Sequence, residues 1–286
     1  MADNVITITV AQNDQQVATA NISEPIVVVE KPVDKSKLGC TIDGFIGDVQ
    51  PDGTYSAPIA PMFIDASAVK TPTTHAFYCR FSGCVIAGAD FTNVEYSISY
   101  NAPFGYAFQS ATITGPITFN INSIEYSGDS TDYFFYHLCD HADFCENGTL
   151  RFPKLTKIQS TTIFSYLLYY VENPPTFDEV FPVLEDIVAK GSLFDYAFYG
   201  YHKPFTASKL KRLIGPKQTY YNVFSGCDAY IWKFPALEEI TGTVWSSYGT
   251  AREIHFAKAN QEKIEACSGY DKKWGAPTNA TIYFDL

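Results

Sequence analysis

Two different short motifs recur in this chain at one shared spacing, and that coincidence constrains the fold more than any other feature. The first begins Phe-Pro: FPKLTKI at 152–158, FPVLEDI at 181–187, FPALEEI at 234–240, with a degraded copy, ASKLKRL, at 207–213. In chain order the copies start 29, 26 and 27 residues apart. The second motif is a Phe followed by a small residue and often Cys. It places Phe81, Phe108, Phe135, Phe164, Phe198 and Phe224 at intervals of 27, 27, 29, 34 and 26. A period near 27 lies in the range of leucine-rich repeats, ~20–29 residues.

Such a unit cannot cover its own apolar face. Stacked on its neighbours, it buries that face and builds a continuous core. Each unit offers a short strand before the Pro, a turn, then an apolar Leu-x-x-Ile segment. The Pro suits a strand end, where no ladder donor is needed. The expected fold is a β-rich solenoid with one short parallel strand per repeat, its Phe and Cys in columns. The 22 Phe and 20 Tyr against two Met fit strands. Residues 1–72 differ from the rest and read as a small all-β module for attachment or oligomerisation. Within it, VITITV at 5–10 alternates as a half-buried strand does, and Ile26 to Val29 suggests a second. Residues 73–257 form the solenoid. Residues 258–286 break the pattern and read as a closing cap, a helix over 259–268 and a strand over 279–284.

The paired motifs resemble BspA-like leucine-rich repeats, whose unit runs roughly I-x-I-P-x-x-V-x-x-I and then A-F-x-x-C. Leu150, Arg151, Phe152 and Pro153 match the strand, and Leu155 with Ile158 the next part. Phe224, Ser225, Gly226 and Cys227 match the closing part, with Val223 for Ala. One residue fewer follows the Pro here, and several units lack the Cys. The resemblance covers roughly 73–257 and implies an adhesin or interaction module with no catalytic residue. The closing stretch, IHFAKANQEKIEACSGYDKKWGAPTNATIYFDL, looks like the C-terminal ends of structural proteins in phages and prophages of gut bacteria. It implies a virion protein, in a tail, fibre or capsid-surface appendage.

A formal charge of −11 argues against nucleic acid and anionic membranes as partners. No stretch approaches the ~20 apolar residues of a membrane helix. The N-terminus MADNVITITVAQ lacks the basic and apolar regions of a secretory signal. That fits a virion component made in the host cytoplasm. The alternative, a bacterial cell-surface adhesin binding a protein or glycan, predicts a secretion route. The seven Cys read mostly as buried free thiols.

Three constellations bear on chemistry. His137, Cys139, His141 and Cys145 contain the donor types of a Cys2His2 zinc site. Three alternating strand residues span about 13 Å, too wide for one ion unless the chain bends. The competing reading is a repeat unit with Phe135 in register and Cys139 near the Cys column, one residue out of step, and no metal or other cofactor is expected. Asp178, Glu179, Glu185 and Asp186 offer carboxylates for glycoside hydrolysis, but their repeat phasing makes a solvated face the better reading. No nucleophile, zincin, P-loop or dinucleotide motif is present, so no enzymatic activity is expected. A binding surface is the remaining possibility. The residue four before each repeat Leu should point outward: Arg151, Val180, Thr206 and Lys233, with His255 extending the row. A partly basic row on an acidic protein could meet an acidic ligand, glycan or other virion subunit. Tyr166, Tyr169, Tyr170, Tyr199 and Tyr201 could stack on sugars, build a protein interface or fill the core. Homo-oligomerisation is expected through the N-terminal module.

Overall fold

The computed structural model describes residues 6–12, 15–22, 41–43, 61–72, 75–97, 102–126, 128, 131–171, 173–218, 220–246 and 249–286. The chain divides into two compact units, Met1–Asp34 and Lys35–Leu286. In the first, Ile6–Gln12 and Gln15–Ile22 pair antiparallel, with a register shift between Val10 and Ala11. The alternating Ile and Thr expected to form a strand lie in the first of these. The strand expected at Ile26 to Val29 lies outside the described residues.

The second unit is a β-solenoid of about eight turns. Its first sheet starts with Met62–Asp65, which pairs antiparallel with Thr41–Asp43 and parallel with Val85–Phe91. The solenoid sheet therefore begins upstream of residue 73, inside the segment assigned from sequence to the N-terminal module. Pro116–Phe119 and Thr149–Arg151 continue it in parallel. Further along, Phe205–Thr206, Ile231–Phe234, Glu253–Phe256 and Thr281–Phe284 form a parallel sheet of their own. Between the two lies a single helical turn, Phe177–Val180. Its cause is local. After Pro174 and Pro175, Thr176 and Glu179 form a capping box, with Glu179 N–H on Thr176 Oγ1 (3.2 Å) and Thr176 N–H on Glu179 Oε2 (2.6 Å).

One strand per unit was expected, yet most coils carry two. The Leu-x-x-Ile segments run into a second parallel sheet of Ser123–Glu125, Lys157–Ser160, Asp186–Ala189, Arg212–Ile214 and Glu239–Thr241. Ile158, Ile187, Leu213 and Ile240 are cross-strand partners there, all fully buried. Their neighbours alternate outward, the period-two signature of a strand. Leu155, Leu184, Leu210 and Leu237 are buried at the corner before it.

Two phenylalanine columns run through the core. Phe91, Phe119, Phe152 and Phe181 stack at centroid distances of 4.7, 5.2 and 5.3 Å. The Phe-Pro motif thus repeats because its ring must meet the ring of the next coil. Phe77, Phe104, Phe135, Phe164, Phe194 and Phe224 form the other column, at 4.9, 5.5, 5.5, 5.5 and 5.4 Å. The columns meet edge to face, as at Phe152–Phe164 (5.4 Å, 80°), the geometry favoured by ring quadrupoles.

The second column corrects the sequence register. Phe81 and Phe108 stack on each other (5.6 Å) rather than in line with Phe135. Their line continues to Cys139: Phe108 N–H bonds Leu138 O, next to it, and Cys139 N–H bonds Leu167 O in the following coil. Phe198 likewise belongs beside Leu168, whose N–H bonds Ala197 O, while Phe194 holds the place in the column. The two FSGC copies are therefore not equivalent. Toward the C-terminus, Gln261–Glu265 is helical with Ile264 buried, and Thr281–Phe284 is the final strand.

Candidate functional site: a tyrosine ladder

The third side of each coil is neither helix nor strand. It is a ribbon of overlapping turns at 75–84, 102–111, 133–142, 163–170 and 193–200. In the second of these, Phe104, Tyr106, Phe108 and Ser110 donate to carbonyls of the next coil. Gly105, Ala107, Gln109 and Ala111 donate three residues back. Every fourth residue has positive φ: Tyr106 and Ser110, His137 and His141, Tyr166 and Tyr170. Side chains then alternate two in, two out. The inward pairs supply the Phe column, and the outward pairs lie on the surface side, some of them, such as His137 and Asp140, covered by their neighbours.

The outward positions build the site. Tyr106, His137, Tyr166 and Tyr196 stack face on face, with centroids 4.3, 4.2 and 5.2 Å apart and planes within 19°. Beside them Tyr78, Tyr106, Tyr136 and Tyr166 meet edge to face at 5.7, 5.9 and 5.8 Å. Tyr169, Tyr170 and Tyr199 extend the cluster, with His141 tilted against Tyr170 (5.3 Å). Tyr78 and Tyr170 are 37% and 48% exposed and most of the others half-buried.

This placement is strained. A non-glycine residue in the left-handed region costs roughly 1–2 kcal/mol. Glycine occupies the equivalent place at Gly83, Gly200 and Gly226, all at positive φ. Tyr and His thus stand where glycine costs less. Such strain concentrates where a side chain is needed for more than folding.

Burial pushes the phenols of Tyr136 and Tyr166 up to about 12. A hydrogen bond with Tyr170 does the same for Tyr199, also to about 12. At neutral pH these three phenols keep their protons, so each hydroxyl can donate and accept. Burial raises the Asp195 carboxyl, which lies next to Tyr196. Because the central rings cover one another's faces, they present edges and hydroxyls outward rather than open ring faces.

The residues singled out from sequence are partly regrouped. Thr206, Lys233 and His255 are cross-strand partners, and Tyr283 follows them. His255 is bonded to Asp285 (2.8 Å) and Glu253 (3.3 Å), so its ring is held between carboxylates. Arg151 is exposed in the other sheet, opposite Thr118. Val180 does not point outward. It is fully buried because the capped helical turn directs it, with Phe177, into the core.

The structure does not gather His137, Cys139, His141 and Cys145 around one point. Cys139 is buried in the Phe81–Phe108 line, and burial pushes its thiol up. Both His rings bond Asp140, His137 at 2.7 Å, and Cys145 is exposed beyond the ribbon. Among the described residues no group of three or more His, Cys, Asp or Glu could hold a metal ion. The acidic set is likewise employed locally. Asp178 accepts from Ser208, Glu179 caps the helical turn, Glu185 pairs with Lys211 (2.9 Å) and Asp186 with Arg212 (3.3 Å).

Of the tyrosines named from sequence, Tyr201 is core, whereas Tyr166, Tyr169, Tyr170 and Tyr199 are in the ladder. Sequence reasoning missed Tyr78, Tyr106, Tyr136 and Tyr196, and weighed His137 only as a metal ligand. A signal existed: Tyr106, His137, Tyr166 and Tyr196 each stand two residues after a column Phe. No protein-family model, curated protein or solved structure matches the chain.

Proposed function

We propose that this chain is a non-enzymatic attachment protein of a phage particle, and that its tyrosine ladder engages a protein surface on the bacterial host or a neighbouring subunit. The carrying observation is the row of Tyr and His at left-handed backbone positions where glycine would cost less. Tyrosine supplies large, rigid, amphipathic contact area at low entropy cost and is enriched in interfaces. Because the central faces are mutually stacked, hydroxyl edges are what the site offers, which favours a protein partner over a sugar seated on an open ring. The neighbouring His137 and His141 are tied to Asp140 rather than free for catalysis. The finer identity, a BspA-like leucine-rich repeat, rests on the spacing of the Phe-Pro-x-Leu-x-x-Ile and Phe-Ser-Gly-Cys motifs. The phage setting rests on the likeness of residues 254–286 to virion proteins.

The test uses particles that carry this chain with Tyr136, Tyr166, Tyr170 and Tyr199 changed to Ser. Those particles should assemble but adsorb or mature at least tenfold less efficiently. Unimpaired particles, or purified particles without the chain, would sink the reading.

A further inference from the structure

A cavity of about 410 Å³ lies where three segments of the second unit meet, 220–222, 242–246 and 269–275. That is within the usual size of a small-ligand pocket, roughly 300–1,000 Å³. Its walls are aromatic. Trp245 and Trp274 are buried in them, and Tyr220 stands 71% exposed. Two observations separate it from an ordinary crevice. The indole N–H of Trp245 is the one buried side-chain polar atom among the described residues with no hydrogen-bond partner. Burying a donor unpaired is costly, and native proteins rarely do it. In addition, Lys273 and Trp274 both adopt the left-handed backbone, at φ 47° and 50°. L-residues avoid that region, above all in succession. The surroundings hold the strain in place. Lys273 Nζ donates to Thr278 O (3.0 Å), and Trp274 O accepts from the N–H groups of Val244 (2.9 Å) and Trp245 (3.2 Å). Trp274 is thereby fixed in the cavity wall, and strain of this kind clusters at ligand clamps.

The polar groups of the lining define the ligand. Lys272 is exposed and is the only charged residue that lines the cavity, on a chain with 31 Asp and Glu. The side chains of Asn222, Thr243 and Lys272 hold no hydrogen bond or ion pair among the described residues. A cationic ligand would meet Lys272 with no carboxylate in the lining to offset it. A wholly apolar one would bury Asn222 and Thr243 unpaired. A sugar that carries a carboxylate satisfies both demands. Its C–H face packs on an aromatic ring, and its hydroxyls both donate and accept. We propose that this cavity binds an acidic sugar residue of a glycan, with its ring against Tyr220 and its carboxylate on Lys272. Its hydroxyls pair with Asn222 and Thr243, and one supplies the acceptor that Trp245 lacks. None of the lining residues belongs to the tyrosine ladder. The site is therefore a second one, beyond the attachment reading and not resting on it.

The test titrates the whole chain with glucuronate and with N-acetylneuraminate, followed by tryptophan fluorescence. Two of the three Trp line the cavity, so binding there should be visible. At least one of the two sugars should change the signal saturably, with glucose and acetate binding at least tenfold more weakly. Lys272→Gln should weaken the acidic sugar at least tenfold, with circular dichroism unchanged. No saturable response to either acidic sugar refutes the proposal. Equal binding of glucose also refutes it, because the charge is then not read, and so does equal binding of acetate, because the sugar is then not read. A Lys272→Gln chain that binds as the wild type does would place the sugar elsewhere and likewise overturn it.

Discussion

Replacing Phe164 by Ala removes the fourth of the six rings in the longer column. Phe164 is fully buried. It stacks on Phe135 and Phe194, each at 5.5 Å, and meets Phe152 and Phe181 edge-on at 5.4 and 5.2 Å. Lost burial of the ring is worth roughly 1.5–3 kcal/mol. The void adds to that, because the four surrounding rings are each fixed by further stacking and cannot close in. The expected loss is therefore at the upper end of the Phe→Ala range, about 4–5 kcal/mol. The assay is equilibrium unfolding in urea, followed by circular dichroism and by tryptophan fluorescence. All three Trp lie at 232 and beyond, so fluorescence reports the C-terminal coils. Solenoid coils couple chiefly to their neighbours. A weakened middle coil should thus separate the two transitions, which should coincide in the wild type. A loss under about 1.5 kcal/mol, far below the usual Phe→Ala range, with coincident transitions would refute the claim that the column carries the fold.

Two further outcomes come from the same geometry. Among the described cysteines of the native protein, a thiol reagent should modify Cys145 first and Cys79 and Cys267 more slowly. Cys139 and Cys227, whose thiols burial pushes up, should react only on unfolding, and fast native labelling of Cys139 would contradict its place in the core. For the tyrosines the sign is set by their raised values. Tyr136 and Tyr166 keep their protons in the folded chain up to about 12, against 10.0 ordinarily. Their contribution to stability is whole below pH 10 and lost as pH rises from about 10 through 12. Denaturant unfolding at stepped alkaline pH should show that decline, and changing both residues to Phe should flatten part of it.

Much of the architecture is legible because a solenoid writes its stacking into the sequence. The Phe-Pro-x-Leu-x-x-Ile motif locates a Phe column, the buried Leu corners and the in-register Ile row, since each needs the same apolar shape once per coil. The helical turn at 177–180 is not legible from period alone. There Thr176 and Glu179 supply a local capping box that overrides the strand, and Val180 changes sides as a result. The second strand of each coil is hidden because its in-out alternation runs on past the Ile, outside the Leu-x-x-Ile spacing that marks the repeat.

The ribbon explains the remaining errors. Its side chains run two in and two out, a period of four that matches neither strand nor helix. On a strand, His137, Cys139 and His141 would share one face and look like ligands. On the ribbon Cys139 turns inward to the line begun by Phe81 and Phe108, while both His turn outward to Asp140. The same period places Phe77 and Phe81 both in the core, so either can be mistaken for the repeat's single Phe. Taking Phe81 and Phe108 sets the first two units four residues late, and Cys139 then looks one residue out of step with a column to which it does not belong. The residue two after each column Phe resolves the ambiguity. In the four middle coils it is Tyr106, His137, Tyr166 and Tyr196, aromatic at a place where the backbone favours glycine, while after Phe77 and Phe224 it is Cys79 and Gly226. That is the position at which demands beyond folding are most visible in this sequence.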